Sequence, residues 1–251
     1  MDWFAQITLL TVSLAANAFS AFVGGGAGLL QLPALLFLGL PFSVALATHK
    51  VATVALGVGA SMRHLKNRSL EGRFALFVLA CGIPGVVAGA TVIVHINDRA
   101  AKLALGVLTV GLGLFSMVNA HLGQSAQARH RDAAGYAGGG LGLFLIGVLN
   151  GSLTSGTGLF VTLWLILWFG LDYKRAVAYT LVLVGLFWNG AGAVTLGIQG
   201  GIYWAWIPAL LVGSLLGGYA GAHLSIIKGN RLIKRVFEVV TLLVGAKLIV
   251  G

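Results

Sequence analysis

Two constellations in this chain have the residue types and spacing to bind something. Gly24-Gly25-Gly26-Ala27-Gly28 puts four glycines in five positions, and Asn150-Gly151-Ser152-Leu153-Thr154-Ser155-Gly156-Thr157-Gly158 is a more polar version of the same thing. Glycine costs a helix interior roughly 1 kcal/mol relative to alanine, so each cluster predicts a helix break. Backbone N–H groups at the start of a helix, approached with no Cβ in the way, suit an anion. Gly24, Gly25, Gly26 and Gly28 are the candidates in the first cluster. Gly151 and Gly156 are those in the second, with an amide from Asn150 and hydroxyls from Ser152, Thr154, Ser155 and Thr157. The competing account is that these glycines only let helices pack closely.

Thr48-His49-Lys50 opens an apolar stretch. A lysine at the centre of a membrane helix costs roughly 2.5–3.5 kcal/mol, which marks it as functional by default; the other reading is a side chain snorkelling to a nearby interface. On the functional reading Lys50 pairs with an anion and His49 donates to it or accepts a proton from it. Thr180 occupies the comparable place in the second half, without a lysine, so a single charged partner is expected. Gln31, and Asn189 facing either a cavity or a neighbouring helix, complete the candidate set. Of the 6 acids, Glu238 alone lies within an apolar span, and Lys234 four residues earlier favours a local pair. The 1 cysteine, Cys81, excludes an intrachain disulfide and a cysteine-based metal site. Neither a nucleophile triad nor a metal-ligand or nucleotide-binding pattern occurs, so no enzyme activity and no cofactor is expected.

The elements that must position these groups follow from composition. With 58% hydrophobic and 9% charged residues in 251, and a mean hydropathy of +0.97, the chain is predicted to be an all-α integral membrane protein in one transmembrane domain. Apolar runs of about 20 residues, the length that crosses hydrocarbon, recur from end to end. The first, residues 3–22, follows an acidic Met1-Asp2 and is expected to be a retained helix. Residues 28–38 are apolar too, but 11 residues at 1.5 Å rise reach roughly half the hydrocarbon thickness. Gly39-Leu40-Pro41 ends this piece. Spans are predicted at 42–62, 74–95 and 100–120. The net charge of +10 sits in short loops, which is topology signalling and not a nucleic-acid surface.

Beyond a polar linker at 123–134 the order of parts begins again. Gly39-Leu40 matches Gly170-Leu171, Gly89 matches Gly221, Arg99 matches Arg231 and Lys102 matches Lys234, all in register with the two breaks. Two repeats, 1–122 and 135–251, are therefore expected. Charge decides their relation. The basic loop at 63–68 has an uncharged counterpart at 197–201, whereas the turn at Asp98-Arg99 answers to Lys228, Arg231, Lys234 and Arg235. If each long helix and its short follower form a hairpin, one side collects all 16 lysines and arginines except Lys50, Arg99, Lys102 and Lys247. The positive-inside rule then predicts inverted repeats of about five helical elements each, with short broken or re-entrant helices and both termini outside. Inverted repeats with discontinuous helices meeting near the midplane characterise secondary transporters.

The run from Gly24 to Leu36, then Gly39-Leu40-Pro41, Ala45-Leu46-Ala47-Thr48-His49-Lys50 and Arg63-His64-Leu65-Lys66-Asn67 resemble the sulfite exporter TauE/SafE family. The resemblance implies a permease of the bacterial cytoplasmic membrane for sulfite, thiosulfate or an organosulfonate, working by alternating access. Its partners are then a small sulfur oxyanion or sulfonate and the lipid bilayer. A coupling proton or cation, and assembly into a homo-oligomer, are left open. An anion-conducting channel and a carrier of another small anion, such as a carboxylate, are the alternatives.

Overall fold

A computed structural model describes residues 3–64, 70–92, 98–153 and 156–250. The described residues are helical with no strand, in the order expected of an all-α integral membrane protein. Helix α1 covers Trp3–Val23; a 3₁₀ turn at Ala27–Leu29 and the short α2, Gln31–Phe37, follow the first glycine break. Then come α3 (Phe42–His64), α4 (Gly72–Val92) and α5 (Asp98–Val118). After the linker, α6 (Ala133–Ser152) leads through the second break into α7 (Thr157–Leu167). Helix α8 (Tyr173–Tyr179), a π-helical stretch (Thr180–Trp188) and α9 (Asn189–Gly200) form one rod. A 3₁₀ turn, Trp204–Trp206, precedes α10 (Ile207–Lys228), and α11 (Asn230–Val250) ends the fold. Among the described residues, six helical segments are long and apolar enough to cross a membrane.

The expected short helix at 28–38 divides in two because Pro33 has no N–H to give the carbonyl of Leu29, so the regular ladder starts only at Gln31. The second short helix has no proline and runs unbroken for 11 residues. Asp132 and Asp172 cap α6 and α8, accepting from the N–H of Gly135 at 3.2 Å and of Arg175 at 2.9 Å. The far end of the span expected at 74–95 and part of the basic loop at 63–68 lie outside the described residues.

Glycine sets how the rods pack. Helix α10 lies along α1 in the same direction: a methyl group at Gly213 would sit 2.6 Å from the carbonyl of Leu10, and one at Gly217 2.5 Å from that of Leu14. Helices α4 and α6 pair the same way, with Gly147 on the carbonyl of Gly82 and Gly151 on that of Val86. This is small-residue packing, in which backbones approach where no side chain intervenes. Helix α3 crosses α10 where Gly218 meets Leu56, and α5 runs against α11 where Gly245 meets Val110. The starts of α1 and α3 share one end of the bundle with the start of α10, for Gln6 donates to the carbonyl of Ala205 and the N–H of Tyr203 donates to Thr48. The end of α7 and the starts of α6 and α8 share the other end, tied by Trp168 to Gly135 and by the N–H of Tyr173 to the carbonyl of Gly123. The two broken pairs thus enter from opposite ends.

Candidate functional site

The two glycine breaks meet inside the bundle. Gly24, Gly25 and Gly26 have φ of +89°, +149° and +98°, values that only glycine takes without strain. The N–H groups of Gly24 and Gly25 both return to the carbonyl of Ser20, closing α1. Thr162 of α7 donates to the carbonyl of Gly24 at 2.8 Å and shares a hydrogen bond with Thr180 at 2.8 Å, which ties the first tip to the second hairpin and to the π-helical stretch. A methyl group at Gly25 would lie 2.5 Å from the nitrogen of Leu159 and 2.6 Å from the carbonyl carbon of Gly158. Gly26 and Gly156, both in the left-handed region, stand before the 3₁₀ turn and before α7.

Behind this contact is a cavity of about 40 Å³, room for roughly three waters. Gly25, Gly26, Gly28, His49, Asn150, Thr157, Thr180 and Asn189, all expected from the sequence, line it. Ser20, Ala27, Thr53, Leu56, Gly158, Leu181, Val184 and Gly185 line it as well. Thr53 stands one turn after His49 on the same face of α3, a spacing that could have found it. Gly185 had no such signal. It belongs to the π-helical stretch, whose wider turn lets its backbone reach Gly57 of α3, with a methyl at Gly185 3.1 Å from the Gly57 Cα. Single π-turns recur at functional sites.

The remaining expected residues lie elsewhere. Gly24 faces Thr162 and Val177; Gly151 packs on α4; Ser152 bonds to the carbonyl of Val148 in its own helix; Thr48 accepts from Tyr203; Gly156 precedes α7. Thr154 and Ser155 lie outside the described residues. Gln31 supports His49 from behind, with Oε1 2.9 Å from His49 Nδ1.

Lys50 is fully buried and adjoins the cavity through its partners. Its Nζ donates to the carbonyl of Asn150 at 2.9 Å, to Asn150 Oδ1 at 3.1 Å and to Asn189 Oδ1 at 3.4 Å. An ammonium only donates, so both amide oxygens face it and both NH₂ groups lie on the far side. That of Asn150 donates to Thr157 at 2.9 Å. Lys50 makes no ion pair among the described residues; the pairs there are Arg175 with Asp172 and Lys234 with Glu238. No group of three His, Cys, Asp or Glu able to hold a metal occurs among them either. A larger groove of about 740 Å³ between α1, the first tip and α11 is lined by Phe19, Leu30, Val239 and Leu243 and offers an anion little beyond Arg235 and Lys247 at its ends.

An all-helical membrane bundle whose two broken helices enter from opposite ends, meeting at a small polar cavity, is the architecture of a membrane transporter. The chain belongs to the sulfite exporter TauE/SafE family, whose profile matches residues 9–248. It is 28% identical over 242 residues to a probable membrane transporter protein of Haemophilus influenzae, covering 96% of this chain and 93% of that one. It is 26% identical over 244 residues to the probable membrane transporter protein YfcA of Escherichia coli (96% and 88%). With the probable membrane transporter protein YunE of Bacillus subtilis it shares 24% over 265 residues (97% of each).

Proposed function

We propose that this transporter moves a small sulfur-containing anion, such as sulfite, thiosulfate or an organosulfonate, across the bacterial cytoplasmic membrane. The observation that carries this reading is Lys50: a buried ammonium held only by neutral oxygens of Asn150 and Asn189, two residues that line the cavity. A buried charge is costly unless it is compensated. An anion in the cavity supplies the compensation, and the start of α7 at Thr157 adds the positive end of a helix dipole. The small cavity favours a compact anion. The sulfur identity rests on the family's description.

Transport on this reading is alternating access. Residues 1–122 and 135–251 act as inverted halves: α1 with α10 corresponds to α6 with α4, and the halves touch on the pseudo-axis at Gly25/Gly158 and Gly57/Gly185. Rocking about these close backbone contacts opens the cavity to one end and then to the other. The basic end, with Arg63, Arg131, Lys174 and Arg231, faces the cytoplasm, which puts both termini in the periplasm. The test is thermal stabilisation of purified protein by sulfite, thiosulfate, sulfate and sulfoacetate against acetate and lactate, with Lys50→Ala as control. Stabilisation by sulfur anions that is lost in Lys50→Ala supports the reading. Stabilisation by carboxylates alone, or an undiminished response in Lys50→Ala, overturns it.

A further inference from the structure

Among the described residues lining the cavity, His49 is the sole titratable side chain, and a chain of hydrogen bonds holds it from behind. Gln31 Nε2 donates to Ser13 Oγ at 3.0 Å, and Ser13 donates to the carbonyl of Leu210 at 2.8 Å. Asn17 donates to the carbonyl of Ser13 at 2.7 Å and to Ser214 at 3.0 Å, and its Nδ2 stands 3.4 Å from Gln31 Oε1. These residues of α1, α2 and α10 are all buried.

One backbone carbonyl sets the direction of the chain. A carbonyl can only accept, so Ser13 gives its single proton to Leu210 and has only acceptor sites left for Gln31. Gln31 must therefore turn its NH₂ to Ser13 and its oxygen to His49. Asn17 spends its two hydrogens on the carbonyl of Ser13 and on Ser214, and its Oδ1 has no partner among the described residues. With Oε1 accepting, Nδ1 of His49 carries the hydrogen. Nε2 of the neutral ring is then the lone-pair nitrogen, and it has no hydrogen-bond partner among the described residues.

We propose that His49 Nε2 is a proton site coupled to the anion site, so that the transporter carries one proton with each anion. The inference rests on the anion reading above and adds the coupling ion. The neutral ring presents a lone pair, which repels an anion; protonation turns it into an N–H donor with a positive charge. Proton and anion therefore bind best together and leave together. The proton comes from water, or from a protonated anion that transfers it to Nε2 as it binds, and it is released when the anion departs. The groups that face it from other elements, Ser20 of α1, Asn150 and Thr157 of the second hairpin, Thr180 of the π-helical stretch and Asn189 of α9, are neutral; the one charge beside it is Lys50, whose cation opposes protonation of His49 until an anion enters. Gln31 is a positioning residue that fixes which ring nitrogen takes the proton.

The experiment uses the purified full chain and three probes ionised throughout the histidine range, thiosulfate, methanesulfonate and sulfoacetate. Affinity is measured at about pH 5.5 and about pH 8, either side of histidine's ordinary titration. Calorimetry in buffers of different ionisation enthalpy reads proton uptake on binding directly in the native protein. The expected result is roughly ten-fold tighter binding at the acid pH, proton uptake with the anion, and accumulation in proteoliposomes driven by an inward proton gradient. In His49→Asn the affinity that remains is the same at both pH values and the gradient no longer drives accumulation; Gln31→Leu shifts the pH profile. Binding of a probe with no proton uptake in the native protein overturns the coupling and leaves the anion reading standing. Gradient-driven accumulation by His49→Asn does the same. Failure of all three probes to bind at either pH takes both readings down.

Discussion

Lys50 and Asn150 are joined twice across the two halves of the chain, with Nζ 2.9 Å from the backbone oxygen and 3.1 Å from Oδ1 of the same asparagine. Because Asn150 also donates to Thr157 at the start of α7, the lysine of the first half sets the amide orientation in the second. Replacing Asn150 by aspartate keeps the shape but gives Lys50 a carboxylate. Asn150→Asp is expected to fold, with a melting temperature at or above that of the native protein, and to lose at least roughly ten-fold in anion affinity, about 1.4 kcal/mol. A thermal-shift titration checks both. Native-like affinity in a well-folded Asn150→Asp would show that the charge of Lys50 does not serve the anion.

The place of Lys50 can be disturbed without touching the cavity wall. A methyl group at Gly192 of α9 would stand 2.8 Å from Lys50 Cδ and 3.0 Å from Nζ, and Gly192 does not line the cavity. Gly192→Ala is expected to push the ammonium off the two asparagines and reduce uptake in proteoliposomes several-fold, while the protein still elutes as a single folded species. Uptake at the native rate would mean the flexible lysine end adjusts without functional loss.

Much of this site was legible because it is local. The glycine clusters, the length of the pieces after them, and Lys50 and His49 within apolar sequence each carry their signal within a few residues. The i,i+4 pair of Lys234 and Glu238 is local too, and the structure contains it. What escaped is made between distant segments. Ser13, Asn17 and Ser214 are small polar residues in apolar helices, and only the meeting of α1 with α10 makes them a support for Gln31 and His49. The π-helical stretch at Thr180–Trp188 lies in continuous apolar sequence and carries no mark of its wider turn. Lys50 is also caged by two asparagines 100 and 139 positions away, a relation no spacing rule contains.

Lys234 and Glu238 pair on α11, with Lys234 also donating to Ser116 of α5, whose hydroxyl lies 3.0 Å from the hydroxyl of Tyr173 at the start of α8. Removing one partner of a buried pair leaves the other charge uncompensated, at about 3–5 kcal/mol. Glu238→Leu is therefore expected to lower the melting temperature markedly, and Lys234→Met combined with it to restore most of the loss. Anion affinity should hold in the double variant, since neither residue lines the cavity. A double variant as unstable as the single one would show that Glu238 contributes by something other than pairing.

The contact between the two tips should be far less tolerant on one side than on the other. At Gly25 an added methyl would stand 2.5 Å from the Leu159 nitrogen, on a backbone at φ +149°. At Gly158 it would stand 3.0 Å from the Cα of Gly25 and 3.4 Å from the carbonyl of Gly24, on a backbone without positive φ. A side chain in the positive-φ region adds roughly 1–2 kcal/mol and overpacking against backbone about 1–3 kcal/mol more, so Gly25→Ala carries both terms and Gly158→Ala a part of the second. Gly25→Ala is expected to abolish uptake and lower the melting temperature, and Gly158→Ala to keep measurable uptake with a reduced rate. The comparison is made in the same proteoliposomes with the same anion. Equal behaviour of the two variants would mean that the tips separate during the cycle and that their close contact belongs to one conformation only.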